Sequence, residues 1–190
     1  GDKNEILVRL GRLSQENHFL RAQFLANLGR NAEVKEILDR QVITRPGFGT
    51  AEDNFALYAD IGYLEASVLT GHKEAVRMLL DKYADANIQL HCRFGVMCLP
   101  QWLGAAAAFL GRYEDARNYD QEAVRVCTGL RFRPGLAISR LQLAELLLEH
   151  YPKEKKEALE HLDFAIKEFR EMKMQPSLER ALRHKEILKS

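Results

Sequence analysis

The strongest constraint in this sequence is a spacing. Four small or β-branched apolar residues, Val34, Ala75, Ala116 and Ala158, each follow a chain-turning signal by four to six residues, and they stand 41, 41 and 42 residues apart. The first three turns carry Gly29, Gly71 and Gly111. Glycine ends a helix readily because the left-handed backbone costs it nothing. The fourth turn, "HYPKEKK" at 150–156, is longer and uses Pro152 as its breaker. A fixed period of about 40 residues across four units is the mark of stacked supersecondary units, and it outranks any local pattern.

Between the turns, apolar residues recur at i, i+3, i+4 and i+7, the helical period. The segments 55–71, 74–88, 97–111 and 113–127 all read this way. Strict apolar–polar alternation and Asn-Gly or Asp-Gly hairpin turns are missing, so no strand is predicted. The expectation is an all-α chain of four helical hairpins over approximately 4–44, 50–89, 91–130 and 133–174. A closing helix over 177–189 caps them, and the whole forms a single repeat domain over 1–190. The first helix is predicted to begin within a few residues of Gly1, in "EILVRLGRL". Solenoids need polar caps at both ends, and this abrupt start predicts a piece of a longer protein.

The third hairpin indicates which repeat this is. Leu103-Gly104, Ala107, Gly111, Tyr113, Ala116 and Ala123 resemble the tetratricopeptide (TPR) pattern: a Leu-Gly pair, a turn glycine, and two alanines seven apart. The fourth keeps Leu143-Ala144, Leu147, Ala158 and Ala165; the second keeps Gly71 and Ala75; the first keeps Ala22, Gly29 and Val34. Small residues belong where helix axes approach closely, so Gly104, Ala107, Ala116 and Ala123 are predicted contact points. The period exceeds the 34 residues of the TPR by roughly two helical turns. HEAT and armadillo repeats have longer periods but typically lack the turn glycine and paired alanines. Lengthened TPR-like units resemble the arrays attached to bacterial signal-transduction ATPases, transcription activators and nucleotide cyclases. The ending "FREMKM", a proline and "ERAL" resembles the close of such arrays. The resemblance implies a right-handed superhelix whose inner wall is lined by the first helix of each hairpin, and a task of holding a protein or peptide there. The inner positions it implies are Asn17, Gln23 and Asn27; Tyr58, Glu65 and Leu69; Gln101, Ala105, Ala108 and Phe109; and Leu141, Glu145 and Glu149. In the second hairpin this register is open by one residue. The family's clamp for a C-terminal carboxylate uses Lys and Asn at inner positions, which these residues do not match. A small-ligand sensor inside the superhelix is the alternative reading, and a HEAT-like scaffold a further one.

Composition narrows the partner. With 28 Lys+Arg against 27 Asp+Glu the net charge is +1, which argues against nucleic acid as a partner of this domain. No apolar run approaches the roughly 20 residues of a membrane span, and the N-terminus is too charged for a secretory signal. Three cysteines, Cys92, Cys98 and Cys127, fit no metal or redox spacing and read as free buried thiols in a reducing cytoplasm. Self-association remains open.

Chemistry is not written into the chain. The six histidines form no His-Glu-x-x-His pair. His91, Cys92 and Cys98 would make three metal ligands without a fourth. Glu157 and His161, four apart, read as a surface pair. "RPGFG" at 45–49 lacks the Lys-Ser/Thr of a phosphate loop and reads as a connector. No catalytic residue, cofactor or metal is predicted. The one local oddity is an arginine run without acids, Arg125, Arg131, Arg133 and Arg140, between Glu122 and Glu145. Arg133 precedes Pro134 at a predicted helix start, where the dipole favours an anion. Either these arginines pair with acids of neighbouring hairpins, Asp81, Asp85 or Glu168, or Arg131 and Arg133 meet an anion or an acidic partner.

Overall fold

The computed structural model describes residues 17–53, 56–84, 90–91 and 97–187. The predicted helix "EILVRLGRL", Cys92, Asp85 and the end of the closing helix beyond Ile187 lie outside the described residues. The chain forms two compact units, Gly1–Ala86 and Asn87–Ser190.

The first unit contains α1 (His18–Asn27), α2 (Asn31–Leu38), α3 (Leu57–Thr70) and α4 (Lys73–Tyr83). α2 runs into a π-helical turn at Asp39–Ile43, closed by the Thr44 N–H donating to the Asp39 carbonyl at 2.9 Å. α1 packs on α2 and α3, and α3 on α4. The second unit begins with β1 (Leu90–His91) and β2 (Met97–Cys98), then α5 (Leu99–Phe109), α6 (Tyr113–Gly129), α7 (Arg133–His150), a 3-10 turn at Pro152–Glu154, α8 (Lys155–Glu171) and α9 (Gln175–Ile187). Each of these helices packs on the next.

The described residues are helical as expected, with one short exception. β1 and β2 form a two-residue antiparallel ladder, Leu90 opposite Cys98 and His91 opposite Met97. Residues 97 and 98 therefore do not open the helix. Pro100 stands in the first turn of α5, the only part of a helix that accepts it. Cys98 is the extended residue before that turn, with φ −93° and ψ 103°. Two rungs are too few to leave an alternating pattern in the sequence.

The four residues that set the spacing are all fully buried: Val34, Ala75, Ala116 and Ala158. The turn glycines all have positive φ: 73° at Gly29, 70° at Gly71 and 76° at Gly111. Each turn closes the same way. The residue after the left-handed one donates its N–H to a carbonyl five residues earlier, as Arg30 does to Leu25, His72 to Ser67 and Arg112 to Ala107, at 2.8–2.9 Å. This satisfies carbonyls the helix leaves open. Two further turns copy the motif without glycine. Arg131 (φ 54°) and Lys173 (φ 56°) take the left-handed place, and Phe132 and Met174 donate back to Cys127 and Phe169 at 2.9 Å.

The core of the second unit's end joins α7, α8 and α9. Ala137, Leu141, Ala144, Leu162, Ala165, Ile166, Phe169 and Ala181 are buried together, with Leu178 and Leu182 of α9 packed against them.

Candidate binding surface

The first helices of the hairpins repeat one pattern of exposure. Counting back from the residue two before each turn, positions eight, four and zero are buried, half-buried and exposed. The triplets are Phe19, Gln23 and Asn27 on α1, then Ile61, Glu65 and Leu69 on α3. On α5 they are Gln101, Ala105 and Phe109, and on α7 Leu141, Glu145 and Glu149. They recur at 42, 40 and 40 residues. Steps of four keep three residues on one helix face. The tilt of that face out of the core produces the gradient.

Most of the residues assigned to the inner wall fall on these triplets. Asn17, Tyr58 and Ala108 do not. Asn17 lies just before α1, ten residues ahead of Asn27, and Phe19 occupies the equivalent place. Tyr58 lies one turn below Ile61 and packs edge-to-face on Phe19, with centroids 5.3 Å apart. On α3 the buried, half-buried and exposed sequence runs Ile61, Glu65 and Leu69. Ala108 is half-buried beside the α5 triplet. Leu141 and Gln101 are buried, and Leu141 belongs to the core.

Two of the middle residues, Gln23 and Glu65, join neighbouring first helices. Gln23 donates its side-chain amide to Glu65 Oε2 at 2.5 Å. Burial pushes the Glu65 carboxyl above its usual range, and the Gln23 hydrogen bond pulls against it. Glu145 takes a fork from Arg180 of α9: Nε to Oε1 at 2.6 Å and Nη2 to Oε2 at 2.5 Å. His184, one turn on, lies 2.9 Å from the same carboxylate. Glu149 is exposed and within 3.8 Å of His150, and Asn27 bonds back to the Gln23 carbonyl.

Against α5 and α7 lies a carboxylate of α6 that the sequence did not announce as buried. Asp120 of α6 is 1% exposed. Its Oδ1 accepts from Gln142 Nε2 at 2.7 Å, and Gln142 also donates to the Gln101 carbonyl at 2.9 Å. Asp120 Oδ2 has no hydrogen-bond partner among the described residues. Burial pushes this carboxyl well above the usual range; the Gln142 bond opposes the rise and Glu145 adds to it. Gly104 is the close contact the TPR-like pattern predicted, but the neighbour is this carboxylate and not a helix backbone. A Cβ at 104 would lie 2.1 Å from Asp120 Oδ1.

The arginine run resolves into separate roles. Arg133 pairs with two acids of α8, Glu168 at 2.8 Å and Glu171 at 2.5 Å, so anions do sit by the start of α7, supplied by the next helix. That guanidinium holds Glu168 below its usual range. Arg131 is exposed and makes the turn. Arg125 forks onto Glu122, and Arg140 stacks over Phe164 at 4.2 Å. Glu157 and His161 lie 3.6 Å apart, but His161 is partly buried. Burial and then Arg140 lower its pKa, against the pull of Glu157.

Sequence reasoning missed a charge cluster in the first unit. Arg45, from "RPGFG", forks onto Asp60 of α3 at 2.7 and 3.1 Å and reaches Asp53 at 3.1 Å. Lys82 of α4 contacts Asp53 at 2.6 Å and Asp60 at 2.7 Å, and Tyr83 donates to Asp60 at 2.7 Å. Phe48 lies under both cations. Two buried acids meet two cations, so the cluster is neutral and its carboxylates are satisfied. Burial alone would raise Asp53, but the Lys82 hydrogen bond, the Gly49 N–H and Arg45 bring its pKa down to about 2. The cluster ties the 45–53 connector to its hairpin. Its one sequence signal was Asp60, an acid on the apolar stripe of a helix.

Open clefts lie at hairpin tips. One of about 510 Å³ is lined by Arg112–Asp115, His150 and Tyr151, with Tyr113 stacked on His150 at 3.6 Å. Another of about 610 Å³ runs along α2 and the α3–α4 turn. Among the described residues no three His, Cys, Asp or Glu side chains gather as metal ligands, and no helix is long and apolar enough to cross a membrane. Cys98 and Cys127 are free and buried in one small core. No protein-family model matches the chain, and no curated protein or solved structure matches it either.

Proposed function

We propose that the chain is a non-catalytic interaction module: a TPR-like, right-handed superhelical array that holds a protein or peptide along the inner faces of its first helices. The observation that carries this reading is the fourfold triplet. A residue buried in the core anchors each helix, a half-buried middle residue supplies a hydrogen-bonding or small side chain, and an exposed third residue remains for a partner. Two of these, Leu69 at 50% and Phe109 at 41%, are large apolar residues in water; apolar residues so placed gain by being covered. The Arg45–Asp60 cluster sets its two acids against two cations. The array-like ending, with the free thiols, fits the repeat region of a larger cytoplasmic signalling or transcription-regulating protein of bacteria.

A photo-crosslinking amino acid placed at Leu69 or Phe109, in cells that produce the protein, tests this. Defined adducts are expected from those positions and not from Asn118 or Lys156, exposed on the second helices. Equal adduct patterns from both sets would remove the inner face from the account.

A further inference from the structure

Glu65 and Glu145 occupy the same place in the repeat. Each lies four residues after a buried anchor, Ile61 or Leu141, and four before an exposed residue, Leu69 or Glu149. Their partners differ. Glu145 is filled: Arg180 spans both its oxygens, and His184 lies one turn further along α9. The same helix seats Ala181 in the core, flanked by Leu178 and Leu182. The molecule thus contains one worked example of what the middle carboxylate recognises. It takes a guanidinium from a helix that packs Leu178, Ala181 and Leu182 into the core beside it.

Glu65 has received only half of that. Its Oε2 holds the Gln23 amide at 2.5 Å, and no cation meets it among the described residues. A half-buried carboxylate bound to a neutral amide has lost water without gaining a counter-charge. The side-chain amide fixes one oxygen and so presets the orientation of the other. Leu69, one turn beyond, supplies exposed apolar surface.

Taking the inner face as the interaction surface, we infer that Glu65 is the receptor for an arginine side chain of a partner polypeptide, presented beside an apolar residue that covers Leu69. The arginine would supply Nη–H donors to the oxygen that Gln23 leaves open. Arginine suits this better than lysine because its planar fork matches a carboxylate and it sheds water more easily. The pairing is the one that α9 makes with Glu145, transferred to an intermolecular setting.

The probe is a labelled peptide with the sequence of residues 175–187, QPSLERALRHKEI, titrated into the full chain by fluorescence anisotropy. In the full chain Glu145 is occupied by its own α9, so Glu65 is the half-buried inner carboxylate available, and the exposed Glu149 is separated from it by the Glu65→Gln variant. Saturable binding is expected, weakened about tenfold or more by Glu65→Gln, as for loss of a charge-assisted bond. A peptide carrying Arg180→Gln should lose as much, and should not distinguish Glu65→Gln from the parent chain. A circular-dichroism melt of Glu65→Gln checks that the fold is intact; Gln23→Ala, which leaves the carboxylate in place, should bind the peptide within a few fold of the parent. Binding that ignores Glu65→Gln, or no saturable binding at millimolar peptide, overturns the assignment. A Glu65-dependent dimer of the chain without peptide also overturns it, since the occupant would then be a second copy. Failure of this probe with Leu69 and Phe109 adducts still formed would leave the interaction surface standing and remove only the arginine.

Discussion

The Asp120 carboxylate fills the space that a side chain at Gly104 would need, with Oδ1 only 2.1 Å from where a Cβ would stand. The glycine of the Leu-Gly pair is thus fixed by an acid 16 residues on, held in turn by Gln142. Gly104→Ala would gain helix propensity of about 1 kcal/mol but must displace a buried, hydrogen-bonded group. We expect a net loss of about 1–3 kcal/mol, read from urea unfolding. Adding Asp120→Ser should recover much of it. Additive losses would show that the two residues do not compete for space.

Asp120 also sets a pH dependence. Its folded pKa is raised by burial, so the folded state keeps a proton that the unfolded chain releases near pH 4. Stability from this residue therefore falls as pH rises from about 4 towards the folded pKa. Asp120→Asn keeps an acceptor for Gln142 and cannot ionise. Its melting temperature relative to the parent should climb between pH 4 and pH 8. A difference constant across that range would contradict the buried neutral acid.

Asp53 works in the opposite sense. Its pKa is brought down to about 2, so its contribution is present above pH 4 and is lost as pH falls from about 4 to about 2. Asp53→Asn should destabilise the chain at neutral pH and converge with the parent in acid. Asp60→Ala, which leaves Asp53 alone to face both Arg45 and Lys82, should cost about 3–5 kcal/mol, as for breaking a buried pair. A loss below 1 kcal/mol would show that the cluster does not fasten the connector.

Arg131 and Lys173 stand in left-handed turns where the other three turns use glycine. The conformation costs a side-chain-bearing residue about 1–2 kcal/mol, and glycine's greater freedom when unfolded returns about half of that. Arg131→Gly and Lys173→Gly should each stabilise by about 0.5–1 kcal/mol. Gly71→Ala and Gly111→Ala should destabilise by a similar amount. A raised melting temperature for either alanine variant would refute the turn assignment.

The repeat was legible because its markers act locally. A left-handed turn selects glycine, and a close helix contact selects alanine, so Gly29, Gly71, Gly111 and the buried Val34, Ala75, Ala116 and Ala158 kept their spacing in plain view. The triplets were legible wherever the turn gave the count, as in Gln101, Ala105 and Phe109. They slipped at Asn17 and Tyr58, where helix starts carry no such marker. The Arg45–Asp53–Asp60–Lys82 cluster joins residues 37 positions apart, and nothing in a linear pattern pairs two particular acids with two particular bases. For the same reason the partners of Arg133 could be named only as candidates until α7 and α8 were placed together.

The central claim is that four helices of the chain repeat one triplet, with the same gradient from core to water. Thiol labelling of single-cysteine variants, in a chain whose own three cysteines are replaced by serine or alanine, measures that gradient directly. The account predicts fast labelling at 27, 69, 109 and 149, slower labelling at 23, 65, 105 and 145, and protection at the buried alanines 22, 66, 106 and 144. That order should recur in every hairpin. Labelling rates that differ among hairpins at equivalent positions, or buried alanine sites that react as fast as 69 and 109, would contradict it.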